Sequence, residues 1–307
     1  MKNFFIIILI LFSMVVNFGC KKEEPIPTTS SSTFLITPGD IIVVTGGRSL
    51  VQLDSNGGFK QVLYTLPNVT ETIYDVAWKG DTKEIMFTIN GAARVGAISV
   101  VDGAFRNLIT DANLTGALKG IAQLTNGDIL VGEVNNVERF TSAGVRRILV
   151  NGVVWPNTLG GTSTTIEQIY PTVNGGFIVC SSGSDNVKRY TADAVIVGGA
   201  VVSGIAGTTD AFGCIELADG RIAMAFNGTT DTIRTVTAAM GSIATIYSDL
   251  AVLGSPRTMT LNISGNILSV DSVFNQIVEI TPSGSFVRTL GGGLVNTPNA
   301  LFSVPNY

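Results

Sequence analysis

The chain contains no histidine. Ser-His-Asp and Cys-His catalysis, imidazole general bases and the His-rich metal sites of many hydrolases are therefore closed to it. The sequence also lacks a Gly-x-Ser-x-Gly elbow, a phosphate-cradling Gly-rich loop with its Lys, and an EF-hand loop. Asp54-Ser55-Asn56-Gly57 and Asp102-Gly103 set oxygen donors beside glycine, but those residue types supply the backbone geometry of a hairpin turn. Gly291-Gly292-Gly293 precedes Pro298 and offers no helix N-terminus to an anion. Arg146-Arg147 and Lys188-Arg189 read as solvated strand or turn positions. Besides Cys20, the cysteines are Cys180 and Cys214, each inside an apolar strand-like stretch of neighbouring units. We expect two buried free thiols there, with a disulfide as the alternative.

Whatever chemistry remains must be positioned by a repeat. A Gly-led strand recurs as Gly39-Asp40-Ile41-Ile42-Val43, Gly127-Asp128-Ile129-Leu130-Val131, Gly175-Gly176-Phe177-Ile178-Val179, Gly220-Arg221-Ile222-Ala223-Met224 and Gly265-Asn266-Ile267-Leu268-Ser269, with Glu84-Ile85-Met86-Phe87 in the same register. The third residues fall at 41, 85, 129, 177, 222 and 267, so the period is 44 to 48 residues. Four strands of ~5 residues with connections of ~6 fill such a period, which is the signature of a propeller blade. A second apolar strand follows, as in Asn136–Thr141, Asn186–Thr191 and Gln276–Thr281. Its apolar residues sit three apart, which predicts a bulge or strong twist. After a Gly turn comes a more variable strand, such as Val145–Val150 or Ser285–Leu290. Last is an inner strand poor in charge, such as Ile73–Trp78, Gly120–Leu124 or Phe212–Leu217, with Trp78 expected in the core.

The first unit has no inner strand before it, and the last is followed by an unpartnered one, Asn299–Val304. Pairing of that segment with Ile41–Val44 predicts an all-β, six-bladed β-propeller closed by its N- and C-terminal strands. A parallel β-helix has much shorter rungs, and the Val/Ile/Thr alternation excludes a helical array.

These residues resemble the NHL-type family of six-bladed propellers. The likeness is strongest in Gly127–Glu133 with Asn135, Asn136 and Val137, and in Gly265–Asp271 with Asn275, Gln276 and Ile277. Both show the order Gly, apolar strand, acid, Asn, apolar strand. Resemblance to lactonase-like propellers implies an alternative function, a hydrolase holding a divalent cation in the central channel. Its ligands here would be Asp75, Glu167, Glu216 and Asp271, and such oxygen donors suit calcium or magnesium.

The preferred reading is a binding module that needs no cofactor. Connections such as Thr125-Asn126-Gly127, Asp219-Gly220 and Ser283-Gly284 are tight, and antiparallel strands put them on one face. The opposite face carries longer crossings between blades, from Thr65 to Thr72, Thr110 to Ala117, Asn151 to Thr165, Gly199 to Asp210 and Gly291 to Pro298. Binding residues concentrate on such loops over a rigid scaffold. On this long-loop face Trp155 either projects as a contact for a protein or glycan or folds down over its blade. Asn157, Asp210, Arg257 and Asn299 flank inner strands there and would line a central depression.

The N-terminus sets the expected compartment. Lys2 precedes the uncharged run Phe4–Val16, short for a bilayer span and suited to a signal-peptide core. The run ends in Phe18-Gly19-Cys20, which resembles a bacterial lipoprotein signal. That resemblance implies a signal peptide over 1–19 and a diacylated Cys20. Residues 20–38, with Lys21-Lys22-Glu23-Glu24 and a Pro/Thr/Ser run, then read as a flexible tether, and 39–307 as the propeller. Lys21 after the cysteine resembles outer-membrane sorting, facing the periplasm or the cell surface. Charged residues make up 14% of the chain and the net charge is −4, so it lacks a basic footprint for nucleic acid.

Overall fold

The structure, a computed structural model, describes residues 34–159, 165–197, 202–203, 210–237 and 241–307. The expected signal peptide, Cys20 and the expected tether up to Thr33 lie outside the described residues. Strands, numbered in chain order, fall into six successive sheets. The first contains β1 (Ile41–Thr45), β2 (Ser49–Leu53) and β3 (Phe59–Thr65), and the second β4 (Thr72–Lys79), β5 (Glu84–Asn90), β6 (Arg94–Ser99) and β7 (Phe105–Thr110). The third has β8 (Ile121–Gln123), β9 (Ile129–Gly132) and β10 (Val137–Phe140), followed by a separate hairpin, β11 (Leu149–Val150) and β12 (Val153–Val154). The fourth runs through β13 (Ile166–Pro171), β14 (Phe177–Ser181), β15 (Asn186–Tyr190) and β16 (Val202–Ser203), and the fifth through β17 (Ala211–Glu216), β18 (Ile222–Phe226), β19 (Thr232–Val236) and β20 (Ile243–Tyr247). The sixth takes β21 (Pro256–Leu261), β22 (Ile267–Asp271), β23 (Gln276–Ile280) and β24 (Phe286–Leu290), and β25 (Leu301–Ser303) ends the series.

β25 joins the first sheet, whose order is β25-β1-β2-β3. Ile41 faces Ser303 and Val43 faces Leu301 in antiparallel register. Backbone bonds from Gly39 N to Val304 O and from Val44 N to Ala300 O, both 2.8 Å, extend the seam beyond the strand itself. Closure is also visible in the packing. Six apolar clusters fill the six gaps between neighbouring sheets, and one joins Ile41, Leu53 and Leu301 of the first blade to Leu268, Ile277 and Leu290 of the sixth. The inner strands β4, β8, β13, β17, β21 and β25 each contact the next around the axis. The protein is a six-bladed β-propeller.

Because each sheet is packed on both faces, its second and third strands are buried along their length. All positions of β10 and β15 are buried. That burial explains the three-residue apolar spacing without a bulge: β9–β10 and β14–β15 pair in continuous register. Strands with both faces covered do not need alternation. The same packing corrects the solvated reading of Lys188-Arg189, both of which are buried, with Arg189 on Glu216 at 2.6 Å. Arg146 and Arg147 are held as well, on Glu138 and Asp128 at 2.7 and 2.9 Å.

The free-thiol expectation is corrected. β14 packs on β17 of the next blade, bringing Cys180 and Cys214 to a Cα separation of 5.9 Å, and the two form a disulfide. Two other boundaries move. Residues 34–38, read as tether, belong to the propeller: Ile36 is buried and Gln52 Nε2 donates to Leu35 O at 2.9 Å. In the third blade, Val145–Val150 is not a regular outer strand: Arg146 makes only an isolated bridge to Phe140, and Leu149 and Val150 turn away to pair with Val154 and Val153. Turn glycines let blades nest. A Cβ at Gly144 (φ 83°) would lie 2.1 Å from Leu108 O of the preceding blade.

Candidate functional site

Each inner strand starts at the long-loop face and ends at a tight turn, so the channel has two chemically distinct mouths. The long-loop mouth is built where the inner strands break register. β4 shifts against β5 between Ile73 and Val76, β13 against β14 between Ile166 and Gln168, β17 against β18 between Ala211 and Gly213, and β21 against β22 between Pro256 and Met259. The skipped residues are Tyr74 and Asp75, Glu167, Phe212, and Arg257 and Thr258. A bulge frees a side chain from strict alternation and re-aims it, and here four blades do so at the same level.

The re-aimed side chains meet. Lys119 Nζ donates to Glu167 Oε1 and to Tyr74 Oη, each at 2.8 Å, and Tyr74 Oη also bonds Glu167 Oε2. Ser182 Oγ donates to Glu167 Oε1 at 2.5 Å. Lys119 sits 4.4 Å from the Tyr74 ring centroid, and its carbonyl accepts from Thr88 Oγ1 at 2.8 Å, which fixes the backbone behind it. Burial, then the Glu167 carboxylate, pushes the Tyr74 phenol well above its ordinary range. The Arg257 guanidinium lies 4.6 Å from the Phe212 ring centroid and donates from Nε to Ser272 Oγ at 3.2 Å. Asp210, at φ 51°, donates its N–H to Asp185 Oδ1 at 2.9 Å. Its carboxyl is raised by burial and by the charges of Asp185 and Glu167, against Arg257. Close approach of β17 to β21 depends on Gly213, where a Cβ would lie 2.3 Å from Arg257 O.

Of the residues singled out from sequence, Glu167, Asp210 and Arg257 are brought together here. Asn299 precedes β25 at the equivalent level, its N–H on Val44 O at 3.1 Å. Tyr74 and Lys119 were missed. A signal existed: Tyr74, Lys119, Glu167, Asp210, Arg257 and Asn299 recur every 42 to 48 residues, close to the blade period.

Trp155 is not an exposed contact; it takes the other alternative and folds down over its blade. It is 1% exposed, packed against Leu130, Val137 and Phe177, with the Arg139 guanidinium 5.3 Å from its ring. Asn157 leaves the channel too. Its backbone exchanges 2.9 Å bonds with Val137, on the third strand out from the axis, and its Oδ1 accepts from Leu159 N. Residues 160–164 of that crossing, and most of Gly199 to Asp210, lie outside the described residues.

Nor do Asp75, Glu167, Glu216 and Asp271 form a cation cage. Asp75 accepts from Ile121 N and Val76 N at 3.0 and 2.9 Å. Glu216 serves Arg189 and Val173 N, and Asp271 caps Gly254, Val273 and Phe274. Among the described residues no three of His, Cys, Asp and Glu are grouped as a metal ion requires.

The tight-turn mouth is apolar. A cavity of about 380 Å³ is lined by the second halves of five inner strands, including Trp78, Tyr170, Met259, Leu261 and Phe302. Trp78 is therefore not a core residue. It is half-buried at the rim and stacks on Phe302 and Tyr307 at 6.0 and 5.2 Å. Inside, the cavity stops at Asp75 and at Gln168, which spans three blades by accepting from Cys214 N and Met259 N and donating to Met259 O. Burial raises Asp75 to about 7 and, with the Glu216 charge, Tyr170 to about 12.

No protein-family model matches the sequence, and a search of curated proteins returns no significant relative. Solved structures share the fold. One from the nidogen/laminin complex aligns with TM-score 0.67 and 15% identity over 86% of this chain and 98% of the other. A catalytically inactive histidine-to-alanine variant of virginiamycin B lyase from Staphylococcus aureus, with quinupristin, aligns with TM-score 0.58 and 16% identity over 85% and 86%. A protein of unknown function from Bacteroides caccae aligns with TM-score 0.61 and 14% identity over 88% and 100%.

Proposed function

We propose that the protein is a lipid-anchored binding module of the bacterial cell envelope, held by a diacylated Cys20 and recognising a protein or glycan partner at the long-loop mouth. The observation that carries this reading is that polar side chains from successive blades, Tyr74, Lys119, Glu167, Asp210 and Arg257, gather at one end of the channel. They present donors, cations and carboxylates together, with no excess of either charge. A mixed surface of that kind suits a hydroxyl-rich or peptide ligand whose own donors and acceptors alternate. Propellers of this architecture occur both in a nidogen/laminin complex and in virginiamycin B lyase. A lyase whose inactive form replaces a histidine offers no route for a chain that has none, which favours binding over catalysis.

Crosslinking the full-length protein in its own cells tests the assignment. The double variant Arg257→Ala, Asp210→Asn should lose the captured partner while melting like the parent. Capture that survives unchanged would overturn the choice of mouth. Cys20→Ala should end palmitate incorporation and release the protein from membranes, and retention of both overturns the anchor.

A further inference from the structure

The cavity at the tight-turn mouth is unused by the reading above, and its chemistry is specific. Its volume of about 380 Å³ lies near the lower end of the range for small-molecule sites, ~300–1,000 Å³. That is room for one or two fused rings. Its walls are flat or aliphatic: Trp78 and Tyr170 on the blade-2 and blade-4 sides, Met259 and Leu261 on blade 6, Leu301 and Phe302 on blade 1. No Lys or Arg lines it, so nothing there would hold an anion. Asp75 is the one carboxylate, and each of its oxygens accepts a backbone amide.

Polar handles are distributed unevenly along the cavity. At the inner end, Gln168 has both its carbonyl and its amide engaged by backbone. Toward the rim, the Trp78 indole N–H and the Tyr170 hydroxyl have no hydrogen-bond partner among the described residues. The Ser303 hydroxyl also lacks one, although Ser303 is only 7% exposed. A buried hydroxyl without a partner costs stability until a ligand or water satisfies it. A ligand that matches this layout has an apolar face to slide between Trp78 and the aliphatic wall, and hydrogen-bonding groups at the outer end. We infer that the tight-turn mouth is a binding site for a flat, uncharged aromatic compound carrying a hydrogen-bonding edge, of the indole or phenol class. The site is separate from the long-loop mouth, so either reading can fail without the other.

Isothermal titration calorimetry of the full-length protein with indole tests it. A compound this small should bind once per chain with Kd between about 10 µM and 1 mM. Ala77→Phe places a ring in the cavity and should weaken binding at least tenfold, as should Trp78→Ala. Trp78→Phe keeps an aromatic wall and should restore most of the affinity. Arg257→Ala, at the other mouth, should leave indole binding unchanged. Melting curves identify any variant that fails to fold; Trp78 is half-buried, so its pair of substitutions stays readable even if Ala77→Phe does not. Absence of saturable indole binding overturns the inference, as does binding that Trp78→Ala and a folded Ala77→Phe leave intact.

Discussion

The two mouths of one channel are lined by the same six strands yet differ in kind. At the long-loop end, bulges release Tyr74, Glu167, Phe212 and Arg257 from alternation; Tyr74 and Glu167 meet each other and Lys119, and Arg257 lies against the Phe212 ring. At the tight-turn end the strands run regular and close within a few residues, leaving an apolar cup rimmed by Trp78 and Tyr307. Polarity in this channel follows backbone irregularity. Where the ladder is continuous, side chains pack, and where it slips, they can be aimed at each other.

The largest effect that could break this comparison is at Glu167, 3% exposed in its side chain and the shared acceptor for Lys119, Tyr74 and Ser182. Glu167→Ala would leave a half-buried ammonium and two hydroxyls without their acceptor. Removing one partner of such a buried pair costs about 3–5 kcal/mol, read as a shift in the urea midpoint at pH 7. A loss under ~1 kcal/mol, the worth of an exposed pair, would mean the charged mouth is solvated rather than coupled.

Next in size is Asp75, which sits between the two halves. Its folded value of about 7 lies above the 3.8 of a free carboxyl because burial disfavours the charge. Between those values the folded state holds a proton that the unfolded chain has released. The contribution is therefore fully present below pH ~4, declines as pH rises to ~7, and is absent above, an upper bound of roughly 4 kcal/mol. Urea unfolding of the parent should lose stability from pH 4 to pH 7 relative to Asp75→Asn. Parallel profiles would place Asp75 in a wetter setting than the apolar cup.

How much of this was legible in the sequence depends on what each feature rests on. The ring was readable because Gly-led strands repeat at a fixed period, and the seam because Leu301–Ser303 had no local mate. Asp210 and Arg257 were found from their place beside inner strands and Glu167 only as a cation ligand implied by the lactonase-like resemblance, while Tyr74 was read only as part of an inner strand, its phenol indistinguishable from core without the slip at Ile73/Val76. Trp155 takes the folded-down alternative, whereas Trp78 leaves the core for the rim. Burial of Trp155 comes from the apolar cluster it joins between the third and fourth blades, with Phe177 reaching it from the next blade, and the part-exposure of Trp78 from its position at the end of β4, facing the axis. The disulfide needed the separation of adjacent blades, which no spacing along the chain encodes.

A smaller test addresses the apolar rim itself. Trp78→Ala removes stacking on Phe302 and Tyr307, but the side chain is only partly buried. The expected cost is therefore about 1–2 kcal/mol, below the ~3–5 kcal/mol of a fully buried aromatic. Should Trp78→Ala prove costlier than Glu167→Ala, the cup would be the structural end of the channel and the charged mouth the open one.

The smallest expected effect separates the rim's stacking from its hydrogen bonding. Tyr307 stacks on Trp78 at 5.2 Å and donates its hydroxyl to Ile36 O at 2.9 Å, while the Lys83 ammonium lies 5.0 Å from its ring centroid. Tyr307→Phe keeps the ring over Trp78 and removes only the bond to Ile36. Because Tyr307 is 47% exposed, water can satisfy the Ile36 carbonyl in the variant, and the loss should be about 0.5–1 kcal/mol. Trp78 emission should keep its wavelength, since the ring that shields it remains. A red shift with the same small loss of stability would show that the hydroxyl, by anchoring Tyr307 to Ile36, is what holds the aromatic rim closed.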